Sequence, residues 1–114
     1  MNVKEVFQTA LKATPYPVTQ PPVKGDKPVY LAFFEVLAQP TSYASNQPQR
    51  VRRTMQVDIY ARQQVGPELA VVIKALRAAG IHVDSWGPED YETDTRRHHL
   101  PITCYYTERT EMEE

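Results

Sequence analysis

The stretch from Val29 to Arg62 constrains the fold more than any other part of the chain. It holds two strand-like runs around a segment rich in Pro, Ser, Asn and Gln. The second run alternates between an apolar set, Met55, Val57, Ile59 and Ala61, and a polar set, Thr54, Gln56, Asp58, Tyr60 and Arg62. This period of two predicts a strand with one buried face and one solvated face.

The first run, from Val29 to Leu37, is apolar on both faces and rich in aromatic and β-branched residues. Such a run is typical of an interior strand, or of a strand whose second face meets a helix or another subunit. Residues 38–50 are predicted to form the connecting loop. Because hairpin connections usually contain about two to five residues, a loop of this length is expected to be either functional or disordered.

Two helices are predicted on either side of this hairpin. Asn2 and Glu5 have the spacing of a capping box, and Thr14-Pro15 ends the first helix. Gly66-Pro67 opens the second helix, and Gly80 provides its C-terminal cap. Apolar residues at helical spacing predict the two buried faces, Val3, Val6, Phe7, Ala10 and Leu11 in the first helix and Leu69, Val72, Ile73, Leu76 and Ala79 in the second.

A second hairpin follows the second helix. Ile81, Val83 and Ser85 define one face of a short third strand, residues 89–94 are predicted to be an acidic loop, and a last strand runs from about His98 to Thr107. Its inner face would hold Leu100, Ile102, Cys104 and Tyr106. The sequence therefore predicts an α+β fold, with two helices packed on a mostly antiparallel four-stranded sheet in the order α-β-β-α-β-β. Residues 1–108 would form one domain, and residues 109–114 a charged, flexible tail.

Composition excludes several classes of protein. The formal net charge of −1, from 13 basic and 14 acidic residues, gives no global field that would attract nucleic acid or a membrane. The single cysteine cannot form an internal disulfide, which agrees with a reducing compartment. No apolar run approaches the roughly 18 residues that predict a membrane-spanning helix.

A search for reactive chemistry favours a protein that is not an enzyme. Cys104 lies on a predicted inner face, where cysteine usually acts as an inert apolar residue. His98 and His99 are adjacent and would point to opposite faces of a strand, and the carboxylates of residues 89–94 are predicted to be solvated. Because no nucleotide-binding or metal-binding motif occurs either, we expect no catalytic residue, no cofactor and no metal.

One basic cluster requires a separate interpretation. Arg50, Arg52 and Arg53 lie close together, with Tyr43 nearby, and could hold a nucleic-acid backbone. The chain would then be a small nucleic-acid-binding α+β module. The alternative is that the arginines form a solvated hairpin end or an intersubunit contact with the acidic loop of a neighbouring copy.

The same region carries a resemblance to a known family. A strand opened by Pro28-Val29-Tyr30, the loop residues 43–48 (YASNQP) and the later run Val57-Asp58-Ile59-Tyr60 resemble the tail completion, or tail terminator, proteins of long-tailed bacteriophages. The flanking elements follow in the same order, so the resemblance covers most of the chain. Ser45 stands where this family usually has an acidic residue.

The resemblance implies a structural role without bond chemistry. Proteins of this family assemble as rings, often hexamers, at the head-proximal end of the tail, where they stop tail-tube polymerisation and join the tail to the head. It thus implies a virion protein that is assembled in the bacterial cytoplasm and contacts itself, the tail-tube protein and the head connector. Neither a membrane nor direct nucleic-acid binding is expected. The assembly surface is predicted at the hairpin loop, and its candidate residues are Tyr43, Asn46, Arg50, Arg52 and Arg53.

Overall fold

Two helices and five antiparallel strands form the part of the chain that the structure describes, which confirms the α+β class. The computed structural model describes residues 2–19, 27–44 and 47–109, and for residues 42–44 and 47–49 it describes the backbone alone. The elements are α1 (Val3–Lys12), β1 (Val29–Ala44), β2 (Gln47–Ala61), α2 (Pro67–Ala78), β3 (His82–Trp86), β4 (Asp90–Glu92) and β5 (Arg97–Arg109). The strand order is β1-β2-β5-β3, and β4 pairs with β5.

Local sequence signals place the helix ends as predicted. Asn2 Oδ1 accepts a hydrogen bond from the backbone N–H of Glu5 at 2.9 Å, and the Glu5 carboxylate accepts one from the N–H of Asn2 at 3.0 Å. Pro67 opens α2 after Gly66, and Gly80 follows the helix with a φ of 81°. Because a left-handed φ is costly for residues with a side chain, glycine suits this position.

The core lies between the two helices and one face of the sheet. Its largest fully buried side chains include Phe7, Leu11, Leu31, Ile59, Leu76 and Ile102. The apolar faces predicted for the first helix, β2 and the end of β5 are buried, apart from Tyr106, which is partly buried against the core. In α2 the buried stripe is Val72, Ile73 and Leu76, whereas Leu69 is partly buried and Ala79 is exposed. None of the helices in the described residues is long and apolar enough to cross a membrane.

The predicted loop at residues 38–50 is wrong over most of its length. β1 continues to Ala44 and β2 begins at Gln47, so strand pairing extends almost to the tip of the hairpin. Register shifts at Val36, at Thr41 and between Ser42 and Tyr43 accommodate the irregular sequence of this arm. Pro40 is tolerated because β1 is an edge strand, where a missing N–H need not break the ladder. Pro48 lies in β2 before its pairing with β5 begins at Arg50, so β2 has only one neighbour there. The structure is correspondingly elongated, with a longest dimension of 51 Å.

Three further predictions need correction at the second hairpin. The acidic loop contains a fifth strand, β4, so the sheet has five strands and not four in the described residues. β3 has a register shift at Asp84, which moves Ser85 away from the face of Val83 and places Trp86 opposite Ile102. β5 reaches Arg109, two residues past the predicted end of the last strand at Thr107, and residues 110–114 lie outside the described residues.

The outer face of the sheet, on the side away from the helices, was predicted to be solvated. Part of it is buried instead. Asp58 and Tyr60 are 2% and 7% exposed, and Tyr30 and Ala32 are buried beside Tyr60. β1 itself is an edge strand and not an interior one, although residues 17–19 cover it locally through two backbone hydrogen bonds to Leu31.

Candidate functional site

The predicted assembly residues that the structure describes lie on strands rather than on a loop. Tyr43 is near the end of β1, where its backbone pairs with Pro48, and Asn46 lies outside the described residues. Arg50, Arg52 and Arg53 lie in β2. Because successive side chains in a strand alternate, Arg50 and Arg52 share the outer face, whereas Arg53 projects to the helix side. The three arginines therefore do not form a single patch.

Arg53 is held in an ion-pair network at the start of α1. Its guanidinium lies 2.8 Å from Glu35 Oε2 and 3.0 Å from Glu108 Oε1, and the second oxygen of Glu108 accepts the N–H of Val3 at 3.1 Å. The hydrogen bonds to Glu35 and Glu108 raise the pKa of Arg53 despite the opposing effect of burial. The network closes one end of the core and satisfies a helix N–H that has no partner within the helix.

Arg52 is arranged differently on the outer face. Its guanidinium lies 4.7 Å from the centre of the Tyr105 ring, and it donates a hydrogen bond of 3.3 Å to Gln39 Oε1. Arg50 is exposed one pleat further toward the tip of the hairpin. These two arginines give the outer face of the arm a positive charge that a partner can reach.

The free edge of the sheet carries an exposed apolar strip. Phe34, Val36 and Leu37 on β1 are 47%, 56% and 49% exposed. The register shift at Val36 lets all three side chains reach solvent, because strict alternation would have turned one of them toward the helices. We call these three residues the apolar edge strip. The sequence had indicated such a feature, because the run from Val29 to Leu37 is apolar on both faces.

The opposite edge carries exposed aromatic side chains. Trp86 on β3 is 48% exposed and Tyr91 on β4 is 52% exposed, and the ring of Tyr91 meets His98 edge-on at 5.1 Å. Sequence reasoning had not assigned a role to either residue. Large exposed apolar side chains at both edges of one sheet are the composition expected of interfaces.

A polar cluster occupies the outer face at the other end of the sheet. His99 Nε2 lies 2.6 Å from the buried Asp58 carboxylate, which also accepts a hydrogen bond of 2.8 Å from Gln56. The imidazole stacks on Tyr60 with ring centres 4.8 Å apart. The hydrogen bond to Asp58 raises the pKa of His99 against the effect of burial, and burial raises the pKa of Tyr60 to about 12.

Pairing of β4 with β5 adds two carboxylates to this cluster. Asp90 Oδ1 and Glu92 Oε2 both lie 3.5 Å from His99 Nδ1, and the three ligand-type atoms lie within 4.8 Å of one another. We refer to Asp90, Glu92 and His99 as the carboxylate–histidine cluster. It is a group that could hold a metal ion, although exposed acidic groups are common without one. The sequence signal for it was the spacing of two residues between Asp90 and Glu92, which puts both carboxylates on one face of a strand, followed by a histidine after a turn.

His98 and Cys104 do not join this cluster. His98 lies on the other face of β5, where its Nδ1 is 3.3 Å from Glu89 Oε2, as the alternation had predicted. Cys104 is fully buried, and burial raises the pKa of its thiol to about 12. Because the thiolate is the reactive form, Cys104 is a structural residue.

Neither a scan against protein-family models nor a search of curated proteins found a match to this chain.

Proposed function

We propose that this chain is a phage or prophage structural protein that forms a ring at the head-proximal end of the tail. There it ends polymerisation of the tail tube and joins the tail to the head. The proposal rests on the resemblance of residues 28–60 to tail completion proteins and on the surfaces of the folded chain. Its partners would be other copies of itself, the tail-tube protein and the head connector.

The observation that carries the proposal is the presence of exposed apolar residues at both edges of one sheet. The apolar edge strip lies on β1, and Trp86 and Tyr91 lie on the opposite edge. A ring of identical subunits needs two different surfaces, because each subunit contacts one neighbour with one patch and the next neighbour with another. This chain has two such patches, and they face away from each other across the sheet.

The mechanism would be steric. A ring seated on the last turn of the tail tube covers the surface to which the next tube subunit would add. The hairpin arm, residues 38–50, together with the neighbouring Arg52, would contact the tube or the connector through the exposed Arg50 and Arg52 on its outer face. Arg53 would act indirectly, since it fixes the base of the arm through Glu35 and Glu108.

The nucleic-acid alternative receives less support from the side-chain arrangement. A phosphate-binding patch would require the three arginines to point the same way, yet Arg53 faces the helices and its charge is balanced by two carboxylates. Arg50 and Arg52 are the two arginines of the cluster that stay exposed on the outer face. The remaining exposed positive charge is small compared with the several phosphate contacts that nucleic-acid affinity requires.

Tail morphology tests the proposed function. We expect Tyr43→Ala, Arg50→Ala and Arg52→Ala, made together, to give a folded protein that no longer supports tail completion. In a host whose prophage lacks the gene, electron microscopy of lysates should then show overlong tails or tails without heads. A matched control is Lys74→Ala with Arg77→Ala, which removes two exposed cations from α2 and should leave tails normal.

A titration with DNA at several salt concentrations separates the two functions. If the triple variant completes tails normally but loses salt-dependent affinity for DNA, the chain is a nucleic-acid-binding module and not a tail completion protein.

A further inference from the structure

A small groove lies beside the apolar edge strip, on the helix side of the sheet. It has a volume of about 210 Å³ and is lined by Val3, Lys4, Phe33, Phe34, Glu35 and Met55. Its floor is apolar and Lys4 stands at its rim from the first turn of α1. Since an apolar cavity of about 150 Å³ can accept benzene, a groove of this size can accept an indole ring.

Trp86 is the largest exposed apolar side chain on the opposite edge. It is the only tryptophan in the chain and is about half exposed. The register shift at Asp84 places Trp86 opposite Ile102, so Trp86 belongs to the helix side of the sheet. The groove is on that same side, and a neighbour placed edge to edge would bring the two surfaces together.

The groove and Trp86 also lie at the same position along the strand direction, which we call equal height. Trp86 pairs with Ile102, Ile102 pairs with Val57, and Val57 pairs with Phe33, so one row of the sheet joins Trp86 to the wall of the groove. His82, at the other end of β3, shares its row with Leu37 through Tyr105 and Thr54. β3 therefore spans the same rows as residues 33–37 of β1.

Equal height matters because it decides whether a head-to-tail contact closes. A heterologous contact that repeats by rotation alone closes into a ring, whereas one that adds a translation along the axis continues as an open helical filament. Edge-to-edge contact between β3 of one copy and residues 33–37 of the next requires no shift along the strands. Such a contact adds no translation along the strand direction.

Charge is complementary at the two surfaces as well. Asp84 is exposed two residues before Trp86, and Lys4 is exposed at the rim of the groove. With Trp86 in the groove, Asp84 would approach Lys4 of the neighbouring copy. This pairing favours a second copy of the same chain as the occupant over an arbitrary apolar ligand.

We propose that Trp86 of one copy inserts into the groove formed by α1 and β1 of the next copy, and that this contact builds the ring. The proposal rests on the proposed function for its biological setting, but it concerns the contact alone. The partner is a second copy of this chain, and the specificity comes from Trp86, from the apolar floor of the groove and from the Lys4–Asp84 pair.

Tryptophan fluorescence tests the contact directly, because all of the signal comes from Trp86. The full-length protein is measured across a concentration series, and its oligomeric state is followed by sedimentation velocity on the same samples. We expect the emission to shift to shorter wavelength and acrylamide quenching to fall as the oligomer forms. Assembly with unchanged quenching of Trp86 would overturn the proposal, as would a protein that stays monomeric at every concentration.

Two variants sharpen the result. Trp86→Ala replaces a side chain that is about half exposed, and it should abolish the oligomer while leaving the far-UV circular dichroism spectrum unchanged. Val71→Ala is the matched control, because Val71 is an exposed apolar residue on α2 and belongs to neither edge strand. Oligomers that persist in Trp86→Ala would contradict the proposal.

A charge exchange avoids any dependence on apolar substitutions. Lys4→Glu and Asp84→Lys should each weaken assembly, and the double variant should restore it, since the pair is then reversed. Failure of the double variant to recover would refute the Lys4–Asp84 contact. Rings that form through Trp86 but do not complete tails would leave this inference intact and refute the proposed function. Tail completion by the Trp86→Ala variant would refute this inference and leave the proposed function intact.

Discussion

The Asp58–His99 pair allows the sharpest prediction about stability. Asp58 is 2% exposed and its carboxylate accepts hydrogen bonds from His99 and Gln56. His99→Phe keeps an aromatic ring that can stack on Tyr60 but removes the Nε2 donor. The variant therefore isolates the hydrogen bond from the packing around it.

The expected cost follows from the partners that remain. A hydrogen bond to a charged group contributes about 1.5–3 kcal/mol, and leaving a buried charge without any partner costs about 3–5 kcal/mol. Because Gln56 still donates to Asp58, we expect His99→Phe to lower the free energy of unfolding by about 2–3 kcal/mol. This corresponds to a fall of about 1 M in the urea midpoint. His98→Phe, whose partner Glu89 is less buried than Asp58, should cost under about 1 kcal/mol.

The pH dependence provides a second readout with a fixed sign. The hydrogen bond to Asp58 raises the pKa of His99 in the folded state above its ordinary value of 6.5. The stabilisation by the protonated imidazole is then complete below that ordinary value and is lost as pH rises through the raised pKa. The free energy of unfolding of the wild type, measured with urea, should fall as pH rises through this window. The free energy of unfolding of His99→Phe should not change over the same window. Equal pH dependence in the two proteins, or a cost no larger than that of His98→Phe, would refute this account.

Three other predictions concern the core, the thiol and the carboxylate–histidine cluster. Ile59→Asp should leave the chain unfolded or insoluble, because it puts a charge into a fully buried position. Thr54→Asp, on the partly exposed face of the same strand, should give a soluble protein. Similar solubility of the two variants would show that the strand faces are inverted. Cys104→Ala should cost about 1–2 kcal/mol in chemical denaturation, and native Cys104 should react slowly with a thiol reagent; rapid labelling would contradict its burial. We expect no stoichiometric zinc by elemental analysis and no change of melting temperature with chelator, and a one-to-one metal content would make the carboxylate–histidine cluster a metal site.

Local sequence patterns were sufficient for the parts of the fold that depend on neighbouring residues. The capping box at Asn2, the proline start of α2 and the buried apolar face of β2 each have one dominant physical cause, and each is confirmed. The arm at residues 38–50 was predicted to be a loop because Pro, Ser and Asn favour turns. Pairing with β2, and the tolerance of prolines at an edge, overrode that preference.

The surfaces could not be predicted from local patterns because they depend on register. The bulge at Val36 exposes the apolar edge strip, and the one at Asp84 turns Trp86 to the helix side, yet neither bulge has a distinctive residue pattern. The carboxylate–histidine cluster was missed for the same reason, since it needs β4 to pair with β5. Adjacent arginines were grouped by sequence proximity, although the pleat separates Arg52 from Arg53.

Native mass spectrometry of the purified chain, alone and with tail-tube protein, tests the central claim most directly. If the chain is a ring-forming tail completion protein, the spectrum should contain one closed oligomer of fixed stoichiometry, retained or strengthened by the tail-tube protein. The Trp86→Ala variant measured beside it should remain monomeric. A wild-type chain that stays monomeric both alone and with tail-tube protein would contradict the account.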